Sequence, residues 1–210
     1  MGWVRFLNMV IACVSLSGIA VAGASVGEEA PDFHGKDLEG KDCTLSQFRG
    51  KIVVLEWTNP KCPFVRKQYS QDNLDGVGAL SSMQKMYTDP AMGAVWIMVA
   101  SADPASSSYL DAAGWKAQLE KWCASPTALI IDDTAEIARL YDAWCTPEVF
   151  IINKEGILLY RGAVDSIRGA DPNEVTAPAN LHWLRNGLEN AIKGRPVIPP
   201  ETIPYGCRIR

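Results

Sequence analysis

Nowhere in the 210 residues do two cysteines stand at C-x-x-C spacing, so the chain lacks the paired ligand knuckles from which small zinc sites are built. Histidine is scarce as well. His34 sits beside Gly35 in a loop and His182 on the first turn of a helical stretch; both are read as solvated side chains without a role. Basic charge is in short supply: 20 Lys and Arg stand against 24 Asp and Glu, for a net charge of -4 with no basic cluster. A nucleic-acid partner needs such a cluster to neutralise phosphates, so none is expected. Beyond the first two dozen residues, no apolar segment approaches the ~20 residues that span a membrane. No internal repeat and no second globular domain is visible.

What the amino terminus does have is one positive charge, Arg5, followed by a mostly apolar stretch that ends in the small residues Ala22-Gly23-Ala24. This pattern predicts a secretory signal over residues 1–24 and a secreted or periplasmic protein. Asn8, Ser15, Ser17 and Gly18 interrupt the segment as a membrane anchor. Val10-Ile11-Ala12-Cys13 matches a bacterial lipoprotein box only loosely, because it leaves a very short apolar region before the cysteine. Residues 25–194 then read as one domain, with 195–210 as a Pro-rich tail carrying prolines at 196, 199, 200 and 204. Cleavage reduces six cysteines to five. An odd count in an exported chain implies at least one free or intermolecular thiol and rules out a purely structural disulfide framework.

The stretch that organises the chain runs from Lys51 to Tyr69. Ile52–Leu55 is a continuous apolar run, half of it β-branched, which suits a central strand buried on both faces. Thr58-Asn59-Pro60 turns the chain, and Pro63 stands where the first residue of a helix belongs, since proline there gives up only an amide that would be unpaired. Cys62 is thereby the predicted N-cap. Free amides and the positive end of the helix favour thiolate over thiol, and Lys61 and Arg66 add positive charge, so Cys62 is expected to be a reactive nucleophile. Glu56 lies between Leu55 and Trp57; burial there is expected to raise its pKa and fit it for proton exchange.

Further elements follow the same periodicities. Asp37–Lys41 reads as a hairpin turn into a short peripheral strand holding Cys43, taken as a half-buried filler. Leu80, Met83, Met86 and Tyr87 share helical spacing, with the methionines in core packing. Ala94–Ala100 and Thr127–Ile131 are buried strands, and Trp115, Leu119 and Trp122 form a helix stripe. The serine-rich loop before Trp115 is expected near the active end of the sheet. Asp133 and Glu136 signal a helix start, and V-F-I-I-N-K-E-G-I-L-L-Y-R-G predicts two strands about a Lys-Glu-Gly turn. A last helix is expected over Asn180–Ile192 with Leu181, Leu184, Leu188 and Ile192 on one side, closed by Gly194. The tail is expected to be extended and polyproline-like, ending Pro204-Tyr205-Gly206-Cys207.

Over roughly Ala30–Gly162 the chain resembles the thioredoxin-like superfamily, within it the redoxins that include alkyl hydroperoxide reductases and thiol-specific antioxidant proteins. The resemblance rests on Ala30-Pro31-Asp32-Phe33, on the strand-turn-Cys62-Pro63-helix segment and on Cys145-Thr146-Pro147 before the hairpin; a P-Y-G-C ending is also similar to that of secreted redoxin-like proteins. It implies an α/β thioredoxin-like fold, a mixed central sheet flanked by helices, with an N-terminal hairpin and a C-terminal Pro-rich tail. It also implies that Pro147 is cis and packs against the reactive cysteine, and that Glu56 stands where thioredoxins keep a buried acid. The departures are specific. Leu55 and Asn59 occupy the proline and threonine positions of the peroxiredoxin P-x-x-x-T-x-x-C pattern, so peroxide is expected to be a poor substrate. Val65 stands where thioredoxins carry their second cysteine, and Thr58 replaces the first cysteine of the copper-delivery C-x-x-x-C-P pattern.

The function expected is a thiol oxidoreductase in which Cys62 attacks a protein disulfide or a hydroperoxide and is restored by an external thiol, without cofactor or metal. A non-catalytic redoxin-fold docking module is the alternative. Cys207 and Cys145 are the candidate partners of Cys62. Cys145 is two residues before Pro147 in a rigid loop, whereas the tail, at ~3.1 Å per residue, is long enough to return to the active end of the sheet; Cys207 is favoured on that ground.

Overall fold

A computed structural model describes residues 23–71, 78–176 and 179–209. The expected signal segment, apart from its last two residues, and the break expected at Gly76 lie outside these.

The sheet is assembled from apolar runs that can bury both faces. β3 (Val53–Trp57), β4 (Val95–Ala100) and β7 (Glu148–Ile152) are buried at every position. With β5 (Ala128–Ile131) and β8 (Leu158–Gly162) they form a five-stranded sheet in the order β5-β4-β3-β7-β8. β3 and β4 run parallel, and β7 returns antiparallel to β3, pairing Glu56 with Val149 and Trp57 with Glu148. Strand alternation splits the core into two layers. Val54, Trp96, Met98, Val149 and Ile151 face α1 (Pro63–Gln68), α2 (Ala79–Tyr87), α3 (Ala112–Lys121) and α5 (Trp183–Ile192). Leu55, Trp57, Ile97, Val99 and Phe150 face α4 (Glu136–Tyr141), the short 3-10 turn Leu45–Phe48 and the N-terminal strap around Phe33. Outside the main sheet, β1 (His34–Lys36) and β2 (Asp42–Thr44) make the expected hairpin, its turn held by the Asp37 carboxylate, which accepts from the Glu39 and Lys41 amides at 2.9 Å each.

Three local readings are corrected. α5 starts at Trp183, because Asn180 is pinned outside the helix, its amide donating to the Val175 carbonyl at 2.9 Å; Leu181 is left 57% exposed instead of facing the core. α4 is capped by Asp132, whose carboxylate oxygens accept from the Ile137 and Ala138 amides at 3.1 and 3.0 Å, with Ala135 in a left-handed conformation; Asp133 has no part in it. Met86 points to solvent while Met83 packs in the core.

The Pro-rich tail runs along β8 and around to the cysteine-bearing end of the sheet. Arg161 donates its amide to Pro200 O and accepts from the Thr202 amide, both at 3.1 Å. The last described strand, β9 (Cys207–Arg208), pairs antiparallel with β6 (Cys145–Thr146), setting Thr146 opposite Cys207.

Candidate active site

All the candidate cysteines stand at the carboxyl end of the parallel strands, where open α/β sheets keep their sites. β3 delivers the turn Thr58–Lys61, tightened because Asn59 Oδ1 accepts from the Lys61 amide at 2.9 Å and its carbonyl from the Cys62 amide at 3.1 Å. Cys62 is then the N-cap of α1 with Pro63 at the first helical position, as its sequence implies. Its sulfur does not cap. It makes no hydrogen bond to the helix amides, and Sγ donates instead to the carbonyl of Thr146 at 2.9 Å. That carbonyl belongs to the Thr146–Pro147 peptide bond, which is cis.

Cys207 arrives from the tail. Its backbone pairs with Thr146, whose carbonyl accepts from Cys62 Sγ, which brings the two cysteines beside each other. Burial first, then the neighbouring Cys62, pushes the Cys207 thiol up to about 12. Gly206 makes the approach possible. At φ +147°, a Cβ there would lie 1.9 Å from the Thr146 oxygen, so only glycine lets the tail backbone pass this close. Cys145 is fully buried behind the pair; burial, then Glu148, then the two neighbouring cysteines hold its thiol well above the usual range. Cys62 is 1% exposed, whereas Cys207 is half-buried and lines a 440 Å³ cleft with Asn59, Ser101, Ser106–Ser108 and Arg208, which places the serine-rich loop at the site.

The other candidates divide. Glu56 is wholly buried on the Cys62 side of β3 and its pKa is raised to about 7 by burial, against the hydrogen bonds it accepts. These come from the Tyr69 hydroxyl at 2.7 and 2.8 Å, Trp96 Nε1 at 2.8 Å and Gln84 Nε2 at 3.4 Å; none is a cysteine. Arg66 is exposed on the outer face of α1 and lines an open cleft with Lys61 and Lys121, away from the sulfur it was expected to accompany. The peptide bond before Pro147 is cis, as the resemblance implied. Cys43 is buried in β2 rather than half-buried, its thiol pushed up to about 11 by burial, an inert core residue.

Sequence reasoning missed two buried acids. Glu148, next to the cis proline, accepts from the Trp144 amide at 3.0 Å and faces Arg161 at 3.5 Å. Asp165 anchors Tyr205 through its hydroxyl. The signal for the second was Tyr205 itself, an aromatic in a proline-rich tail with no helix or sheet to join.

A family model for the AhpC/TSA family matches residues 26–161. The chain belongs to that family. Among solved structures it is similar to an uncharacterised conserved protein of Geobacillus kaustophilus, at TM-score 0.73 and 24% identity over 89% of this chain and 92% of that one. A hypothetical protein of Sinorhizobium meliloti matches at 0.72 and 22%, over 90% and 95%. The thioredoxin domain of a thiol-disulfide oxidoreductase from Bacteroides vulgatus matches at 0.51 and 20%, over 73% and 96%. These confirm the thioredoxin-like fold. A search of curated protein sequences returns no significant match.

Proposed function

We propose that this redoxin is an exported thiol–disulfide oxidoreductase whose working pair is Cys62 and Cys207. The observation that carries this is the pairing of the tail strand with the cis-proline loop, which sets Cys207 opposite Thr146, the residue whose carbonyl accepts from Cys62 Sγ. In the reducing direction, the Cys62 thiolate attacks one sulfur of a protein disulfide, forming a mixed disulfide and releasing one substrate thiolate, which takes up a proton. Cys207 then gives up its proton and attacks the Cys62 sulfur, expelling the second substrate thiolate. Both electrons now reside in substrate thiols, the protein holds a Cys62–Cys207 disulfide, and an external thiol restores it.

Disulfides are favoured over hydroperoxides because Asn59 stands at the threonine position of the peroxidase pattern and the Thr58 hydroxyl one residue earlier is buried. Asn59 Oδ1 is spent on its own turn, and Thr58 lines a crevice with Tyr109, Leu110 and Trp115. Substrate access requires β9 to shift, since Cys62 is 1% exposed beneath it. Export rests on the N-terminal charge and cleavage pattern.

Peptide mapping of the oxidised protein tests the pair. A Cys62–Cys207 peptide is expected, together with loss of turnover in Cys207→Ser; a Cys62–Cys145 peptide, or turnover unaffected by Cys207→Ser, refutes the assignment.

A further inference from the structure

The two cysteines come from segments far apart in sequence, and one buried acid touches a residue of each segment, Gln68 and Tyr205. Asp165 is 1% exposed in the loop after β8. Its Oδ2 accepts from Gln68 Nε2 at 2.7 Å and from Asn180 Nδ2 at 3.3 Å; its Oδ1 accepts from the Ile167 amide at 3.0 Å and from the Tyr205 hydroxyl. Lys67 Nζ lies 3.7 Å from Oδ1 with its side chain wholly buried, donates to the Ile167 carbonyl, and stands 4.8 Å from the centre of the Tyr205 ring. The ring also packs edge-on against Phe64, centroids 5.9 Å apart. Phe64, Lys67 and Gln68 belong to the helix that Cys62 heads. Tyr205 stands two residues before Cys207.

A carboxylate taken from water is tolerated only with a counter-charge and donors for its lone pairs. Lys67 supplies the charge, and three side chains and one amide supply the donors. One of those donors belongs to the tail, so the cluster is complete only with the tail docked. Undocking leaves Asp165 one donor short and uncovers the Tyr205 and Phe64 rings.

We propose that Asp165 is a positioning residue for the cysteine pair: through Tyr205 it latches the tail to α1 and thereby sets the effective concentration of the Cys207 thiol at Cys62. The redox meaning of the latch rests on the function proposed above; the covering of Cys62 does not. A thiol on an unlatched tail has the effective concentration of a flexible linker, in the millimolar range, and preorganisation raises it.

The test uses the full chain with Tyr205→Phe, Asp165→Asn and, as a tail control, Ile203→Ala, a position 68% exposed in the same segment. Two quantities are read: the Cys62–Cys207 disulfide fraction in mixtures of reduced and oxidised glutathione, and the rate of Cys62 alkylation by iodoacetamide, followed by peptide mass. Tyr205→Phe keeps the ring and removes only its hydroxyl. Its disulfide is expected to be about tenfold easier to reduce, the worth of one buried hydrogen bond to a charged acceptor, which is about 30 mV for a two-electron couple. Cys62 alkylation should quicken by about the same factor, Asp165→Asn should do at least as much, and Ile203→Ala should match the wild type in both.

Wild-type values in Tyr205→Phe and Asp165→Asn overturn the proposal, as does an equal shift in Ile203→Ala. Should Asp165→Asn fail to fold, Tyr205→Phe decides alone. A wild type that forms no Cys62–Cys207 disulfide refutes the proposed function instead, and the alkylation rates then decide the latch by themselves.

Discussion

Glu56→Gln probes a carboxyl that the fold keeps entirely out of water beneath the site. Burial holds its proton until the pH nears 7, whereas in an unfolded chain the proton leaves near 4.5. Between those values the folded state binds more protons than the unfolded one, so this group's contribution to stability is fully present below pH 4.5 and is lost as pH rises through 7. At ~1.4 kcal/mol per pH unit the loss is about 3 kcal/mol. The glutamine amide is neutral throughout. Its carbonyl can still accept from Trp96 Nε1, and its NH2 can donate to the Tyr69 hydroxyl as a protonated glutamic acid would. Urea titrations of both proteins from pH 4.5 to 8 should therefore diverge, the variant gaining about 3 kcal/mol on the wild type across the window with m unchanged. The same pair compared in a disulfide-exchange assay should show a slower variant and a wild-type inflection near pH 7. Stability profiles that stay parallel refute the buried-proton argument; exchange rates that coincide across the neutral range remove Glu56 from the chemistry.

Gly206→Ala should undock β9 without harming the core, because its Cβ meets the Thr146 backbone rather than a side chain that can yield; Cys62 alkylation at least tenfold faster, with a melting temperature within a few degrees of wild type, is the expected outcome, and an unchanged alkylation rate contradicts it. Hydrogen peroxide should oxidise Cys62 within about tenfold of an ordinary free thiol in stopped flow, and a rate far above that would restore the peroxidase reading.

Much of this architecture is written locally. Ile52–Leu55 and Ala94–Ala100 admit no face for water and so declare central strands, while Pro63 after Cys62 fixes a helix start to the residue. The hairpin about Lys154-Glu155-Gly156 is equally plain, with Gly156 at φ +83°. What the sequence hid is what depends on distant partners. Nothing in the local pattern marks Lys67 and Gln68 for burial, which follows only from an acid about a hundred positions later. The direction of the Cys62 sulfur was illegible for the same reason: helix-cap logic points it at its own amides, and a carbonyl from the Thr146 loop captures it instead. The tail was placed correctly in reach but not in state. Expected as an extended end that swings in, it is a docked strand, because Tyr205 has a buried acceptor waiting.

Chain topology gives the cysteine pair one more property. In a C-x-x-C motif the bond closes around two residues, and the unfolded chain can form it almost as readily as the folded one. Cys62 and Cys207 enclose the whole helical layer and four of the five sheet strands. A loop of that length loses about 5 kcal/mol of chain-closure entropy in the unfolded state, if closure is treated as purely entropic. By linkage, folding must favour the bond by the same amount, between three and four powers of ten in its equilibrium constant, at ~1.4 kcal/mol per power. On the proposed pairing, a nascent or unfolded chain therefore carries two independent thiols, which become a couple only once the last strand has found its place.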